Sequence, residues 1–476
     1  MENTSKASHP QSAHGQDFAL TLADFVCGLS PRQLSQEVMA AAKENIFDTL
    51  ACAVAGSTAP GVGEVRDLAL EWGGAQQAST FVFRDKMPAH HAAWVNGTMS
   101  HARDYDDTHD AAVLHAGVSV VPAALAAAEL RGKTSGAELI AGVAAGLETI
   151  SRLGVATTVS IIESGYMYTS LFGHFAATVA ASKILGLDHA GIVNALGIAY
   201  SQVSGNHQVT RDAALTKRMQ PGFAAMSGVL SAQLASRGIR GAQSTFEGID
   251  GFFRVYLGNH YDPDVLRDGL GTRFEFLALS YKPYPCCRFN HCGIEAALEL
   301  RKAVGDRAHD IERIRVGLNQ QAYQAVCTPI DVRRSPETIV QAQFSIPYTV
   351  AAALIDGEVS LRHFRSDLKD RHDIIALAQR VHPYVHEDIE RGYGRNVSPV
   401  LIDIDMKDGR TLSHRIDSPR GHPQRRMTKA DFLKKAKDCF EASARAFEQG
   451  THERLYERVS HLDTLTDIDQ LLQVFG

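Results

Sequence analysis

Leu34, Val38, Ala42, Ile46, Leu50 and Val54 recur every four residues and stop at Gly56. A helix puts such a series on one side, so the segment reads as a long amphipathic helix. Ser30 is its N-cap and Pro31 lies in its first turn. The same grammar returns downstream. Ser135-Gly-Ala-Glu138 has capping-box spacing ahead of LIAGVAAGLETI. Further helices are predicted over 118–130, 171–186, 188–203 and 221–237, the last stopped by Gly238. Glycine occurs 39 times and alanine runs recur, a composition suited to helices whose backbones pack closely.

After Lys282 the pattern changes. Ile314, Val316 and Leu318 alternate with other residues, as a half-buried strand requires. Val400, Ile402, Ile404 and Met406 alternate too, Asp408-Gly409 supplies a turn, and Leu412 and Ile416 resume the pattern, predicting a β-hairpin. A helix is expected near Ile346–Ile355, with Pro347 in its first turn. Helical patterning returns over 428–447 and 464–474. The fold class is therefore mostly α: a large all-helical domain, residues 17–278 completed by 418–476, plus a smaller α+β domain over 279–417. A chain of 476 residues, 45% hydrophobic, can bury more than one core.

A net charge of −6 provides no general basic field for nucleic acid or an anionic membrane. An acidic substrate would need a local cluster of Lys, Arg and His. The first sixteen residues are polar and read as a disordered lead rather than a secretion signal. The longest stretch without charged residues, His189 to Thr210, carries Asn194, Gln202, Asn206, His207 and Gln208, and makes a poor membrane span. Seven scattered cysteines suit a reduced, cytoplasmic protein.

Three segments carry chemistry. The first is HARDYDDTHD, His101 to Asp110, followed by His115. Asp104, Asp106, Asp107, His109 and His115 could hold a divalent metal. Alternatively His115 transfers a proton that the aspartates organise, or the loop is solvated and caps the next helix. The second is Lys217-Arg218, two cations ahead of the helix predicted from Pro221: either an anion site at a helix N-terminus or a solvated pair. The third is the hinge KPYPCCRFNH, where Lys282 and Arg288 face a cleft between domains. Its Cys286-Cys287, His291 and Cys292 lack zinc spacing; a vicinal disulfide, a reactive thiol and a packed loop are the remaining readings.

Together with IFDTLACAVAGS, VVPAALAAAE, GHFAATVAASKILGL, TKRMQPGFAA, FEGIDGFF and the RGHP at Arg420–Pro423, these segments resemble the MmgE/PrpD family over nearly the whole chain after the polar lead. The resemblance implies a large helical domain with a smaller lid domain, a site between them, no metal or redox cofactor, and a homodimer. The implied activity is that of a lyase, a dehydratase or decarboxylase of a small di- or tricarboxylic acid in the manner of 2-methylcitrate dehydratase. An epimerase or isomerase of a dicarboxylate, or a non-catalytic metabolite-binding member, would share the same fold.

Residue by residue, the family's active-site positions fall on Asp104, Thr108, His115 (one residue further along the loop), Lys217 and Lys282. Arg218 and Arg288 are expected to help bind carboxylates, and Tyr323 matches a tyrosine lining the pocket. Met167 and Cys287 are departures, standing where decarboxylase-like members carry histidine. With Met167 there, the pocket wall is expected to favour an alkyl group over a third carboxylate and to make cis-aconitate a poor substrate.

Overall fold

The computed structural model describes residues 15–393, 397 and 399–476. The first fourteen residues of the polar lead lie outside them. Ser30 and Pro31 open a separate short turn, Pro31–Gln33, and the long helix begins only at Gln36, where the Ser35 hydroxyl caps Val38 N–H. That helix runs to Gly56, but it is not amphipathic throughout. From Asn45 to Gly56 every residue is buried, because other helices surround its second half. The Ser135–Glu138 capping box forms as expected and starts the helix Gly136–Ala156. This helix has the length and hydropathy of a membrane span, yet 94% of that stretch is buried inside the protein. It also holds the buried pair Glu148–Arg152, whose guanidinium donates to the carbonyls of Val265 and Arg273.

The other helices of this body include Ala89–His101, Gly117–Arg131, Tyr168–Leu185, His189–Tyr200 and Thr216–Ser236. The last begins five residues earlier than Pro221 suggests, since the proline lies inside the helix rather than in its opening turn. Near the C-terminus, Lys429–Glu441 is a shorter form of the helix expected over 428–447, Thr451–Ser460 is a further helix, and the helical patterning expected over 464–474 is reduced to the short helix Asp469–Leu472 and the turn Gln473–Phe475. Phe432, Ala436, Leu455, Leu472 and Phe475 pack into the same core as Phe18 and Tyr281.

A second, separate core runs from Cys286 to Met406. Its sheet has the order Val381–Val385, Ile311–Leu318, Val400–Met406, Thr411–Ile416, with the first pair parallel and the others antiparallel. The expected hairpin is present, with Ile404 opposite Leu412 and Gly409 at φ +84° in its turn. Residues along Val400–Met406 alternate between buried and half-buried, and the helix His291–Val304 packs on the inner face beside Ile346–Asp356. The protein is thus mostly α, with a smaller α+β domain.

Two glycines set the crossing that matters for the site. A Cβ on Gly222 would lie 2.5 Å from Thr98 Oγ1 and 2.6 Å from the Trp94 carbonyl, and one on Gly97 would lie 2.8 Å from Gly222 Cα. The helices Ala89–His101 and Thr216–Ser236 therefore touch backbone to backbone. This contact brings the C-terminal end of one to the first turn of the other.

Candidate active site

His101 ends its helix one turn beyond Gly97, and Lys217 lies in the first turn of the helix carrying Gly222. Their side chains meet, with Lys217 Nζ 3.1 Å from His101 Nε2. Lys217 is therefore part of the helix rather than ahead of it. Beyond His101 the chain turns sharply, and Asp104 adopts φ +53°, a left-handed conformation costly for a residue with a Cβ. The turn aims its carboxylate at two lysines. Oδ1 lies 3.2 Å from Lys217 Nζ and 3.4 Å from Lys282 Nζ, while Lys282 also donates to the Asp104 carbonyl at 3.0 Å. Burial alone would raise the Asp104 carboxyl; Lys217 and Lys282 outweigh it and hold it well below the usual carboxylate range. Burial likewise opposes the charge on Lys282, but Asp104 and Asp106 keep its pKa above the ordinary value.

Asp106 is the hub of a second chain of hydrogen bonds. Its Oδ2 lies 2.8 Å from His101 Nδ1 and 3.1 Å from His115 Nδ1. Burial pushes His101 down to about 4, against the pull of Asp106, so its ring is neutral. With Nδ1–H donating to Asp106, Nε2 is left to accept from Lys217. His115 Nδ1 also donates to the Asp107 carbonyl at 2.6 Å, which leaves its Nε2 as the basic nitrogen on the cavity side. The loop is buried rather than solvated, yet Asp107 caps the next helix as expected of an aspartate there. Its two carboxylate oxygens accept from Ala116 and Gly117 N–H at 2.9 and 3.0 Å and start the following helix. Burial, then Asp106, pushes Asp107 up to about 6.

These groups open onto a cavity of about 720 Å³ between the two cores. Asp104, Thr108, His115, Lys217, Lys282, Met167, Cys287 and Arg288 all line it. Thr108 is held there by the short pairing of Thr108–His109 with Leu279–Ser280. Met167, Ile161 and Val113 are among the apolar side chains that line it. Cys286 and Cys287 are free thiols rather than a vicinal disulfide, and burial pushes Cys287 up to about 11.

Two expected residues do not reach the cavity. Arg218 is buried and donates to the Pro60 carbonyl at 2.9 Å, one helical step of about 100° from Lys217. Tyr323 packs against the smaller core. On its helix, Gln320–Val326, the cavity face belongs to Gln321 and Gln324, and a residue two positions from Gln321 points elsewhere. Arg288 does line the cavity, but its guanidinium is engaged by Asp110 at 3.2 Å and by the Arg420 carbonyl at 2.9 Å. These bonds brace the hinge.

Sequence reasoning missed His101 as a partner of Lys217, Asp106 as the hub and Arg333 as part of the wall. The ligating atoms of His101, Asp106 and His115 lie within 4.8 Å of one another and, among the described residues, form the cluster that could hold a metal. They already hydrogen-bond to each other, and the Lys217 ammonium occupies the remaining nitrogen of His101. A divalent cation would have to displace these bonds beside two ammonium groups. Of the metal ligands suggested by the sequence, Asp104 serves the lysines and Asp107 serves the helix start.

Residues 20–264 match the MmgE/PrpD N-terminal domain and residues 284–461 the MmgE/PrpD C-terminal domain. The chain is 27% identical over 470 residues to the cis-aconitate decarboxylase of Aspergillus terreus, covering 95% of this chain and 94% of that protein. It is 28% identical over 468 residues to the cis-aconitate decarboxylase of Homo sapiens, covering 95% and 93%. It is 27% identical over 473 residues to the cis-aconitate decarboxylase-like protein oryM of Aspergillus oryzae, covering 96% of each.

Proposed function

Because the chain belongs to the MmgE/PrpD family, we propose that it is a lyase, a dehydratase or decarboxylase of a small di- or tricarboxylic acid, working in the cavity between its two cores. The observation that carries this reading is the shared grip of Lys217 and Lys282 on Asp104, next to the free Nε2 of His115. Lys217 and Lys282 bring two ammonium groups, sharing one carboxylate, to the edge of the cleft, where their burial strengthens Coulomb interactions. A substrate carboxylate docks there, and charge that develops on its oxygens as a neighbouring bond breaks is stabilised. His115 takes or returns the proton through Nε2, with Asp106 fixing its ring. Thr108 donates a hydrogen bond to the substrate, and Asp104 keeps both lysines charged and aimed.

The test is to incubate the protein with citrate-like, aconitate-like and amino-dicarboxylate acids and to follow them by NMR. Appearance of an alkene or loss of a carboxylate, absent in Lys217→Met, supports the lyase. Exchange of a C–H proton with solvent and nothing more would make the protein an epimerase. No change in any of these acids would overturn the reading.

A homodimer and a cytoplasmic location belong to the same proposal. Leu68, Leu70, Trp72 and Leu215 are exposed, and Trp72 stacks on Trp94, which stacks on Phe223. Such an apolar surface favours association, and light scattering measures it. The seven free thiols support a reducing compartment.

A further inference from the structure

The cations that line the cavity are not equivalent. Lys217 and Lys282 share Asp104, and Arg288 is neutralised by Asp110. Arg211 is exposed. Arg333, on the helix Ile330–Arg334 of the α+β domain, is half-buried, and among the described residues no carboxylate lies within ion-pair distance of it. Its Nε donates to the Thr328 carbonyl at 3.0 Å and its Nη2 to the Ala325 carbonyl at 3.3 Å. Among the described residues nothing accepts from Nη1 or from the second hydrogen of Nη2. The titratable groups facing it are the Cys287 and Cys327 thiols, both pushed up by burial and therefore uncharged, and burial in turn lowers Arg333. A partly desolvated guanidinium with no counter-ion is costly unless a ligand supplies one, and its planar fork fits a carboxylate.

Resting on the lyase reading, we propose that Arg333 is the counter-ion of a second substrate carboxylate, held from the α+β side while Lys217 and Lys282 hold the first from the helical side. The backbone bonds to Thr328 and Ala325 keep the guanidinium oriented before substrate arrives. The substrate then spans the junction of the two cores, and monocarboxylic acids are selected against because Arg333 would remain unpaired.

The experiment is calorimetric titration of the full chain with glutarate, a saturated dicarboxylate with no hydroxyl to lose and no third carboxylate to meet Met167. In Arg333→Gln the Kd should rise on the order of ten- to a hundredfold, the worth of one charge-assisted hydrogen-bonded pair. Arg333→Lys, which keeps the charge without the fork, should fall between wild type and Arg333→Gln. Lys217→Met serves as the reference for the other end of the ligand. Weakening in Lys217→Met with an unchanged Kd in both Arg333 variants overturns this inference and leaves the lyase reading standing. If wild type does not bind glutarate, or no variant changes the Kd, the inference falls together with the polycarboxylate reading.

Discussion

Lys217 donates to Nε2 of His101 across 3.1 Å, and that bond joins the two charged halves of the cavity floor. On one side Asp104 grips two ammonium groups; on the other Asp106 orients two imidazoles. Replacing Lys217 or Lys282 with methionine should lower kcat/KM by about 100-fold or more, the size of effect seen when a preorganised charge is removed from a transition state. Each variant should remain folded, though less stable, because Asp104 loses a partner. A folded Lys217→Met protein with near-native turnover would move the chemistry elsewhere.

His115 presents its Nε2 to the cavity because Nδ1 is committed to Asp106 and the Asp107 carbonyl. His115→Ala should reduce kcat by about 100-fold or more while changing KM little, since a proton-transfer group acts mainly in the transition state. Asp106→Asn, which disturbs the orientation of His115 and His101 together, should mimic it. A raised KM with unchanged kcat would make His115 a binding residue only.

Asp107 gives the fold a particular dependence on pH. Its carboxyl is raised from 3.8 in the unfolded chain to about 6. Between these values the folded state holds a proton that the unfolded state has lost, so this group's contribution falls as pH rises through about 6. Asp104 and Asp106 are shifted down and act in the opposite sense, their contribution being lost only as pH falls below the unfolded value near 3.8. Asp107→Asn should therefore flatten the decline in stability between about pH 4 and 6, measured by urea unfolding at several pH values. The slope is the readout, because loss of one N-cap bond also lowers stability by about 1 kcal/mol at every pH. An unaltered slope would show that Asp107 titrates normally.

Met167 lines the cavity with Ile161 and Val113. Burying an unpaired carboxylate against this wall costs several kcal/mol, whereas a methyl group there gains about 0.8 kcal/mol. A substrate with an alkyl group at this position should outcompete cis-aconitate, and Met167→His should shift the ratio of kcat/KM values toward cis-aconitate. An unchanged ratio would remove Met167 from the determinants of specificity.

Local chemistry was readable from the sequence where neighbours in the chain decide it. The Ser135–Glu138 box, the Asp408-Gly409 turn and the alternation along Val400–Met406 need only a few adjacent residues. Ser30-Pro31 misled because Ser35, five residues on, is the better-placed cap for the same helix. Pro221 misled in the other direction: a proline usually opens a helix, and here it is tolerated inside one. Asp104, Lys217 and Lys282 came from resemblance, and the structure explains why they come together. His101 and Arg333 carry no local mark. A histidine closing a helix becomes informative only when Lys217, 116 residues away, supplies its partner, and an arginine in VRRSPE only when the fold gives it backbone carbonyls and no carboxylate. Tyr323 and Arg218 lie off the cavity for a simpler reason, the rotation of a helix between one residue and the next.

The contact of Gly97 with Gly222 has a mechanical consequence. Because main chain meets main chain there, the separation of His101 from Lys217 has no slack that side-chain repacking could absorb. Gly222→Ala should force the helices apart at a cost of about 1–3 kcal/mol and reduce turnover beyond what the lost stability explains. The floor of the cavity behaves as a fixed jaw. Adaptation to a new acid must come through Met167 on the helical wall and through the opposite jaw, where Gln321 and Arg333 can change without disturbing a backbone seam.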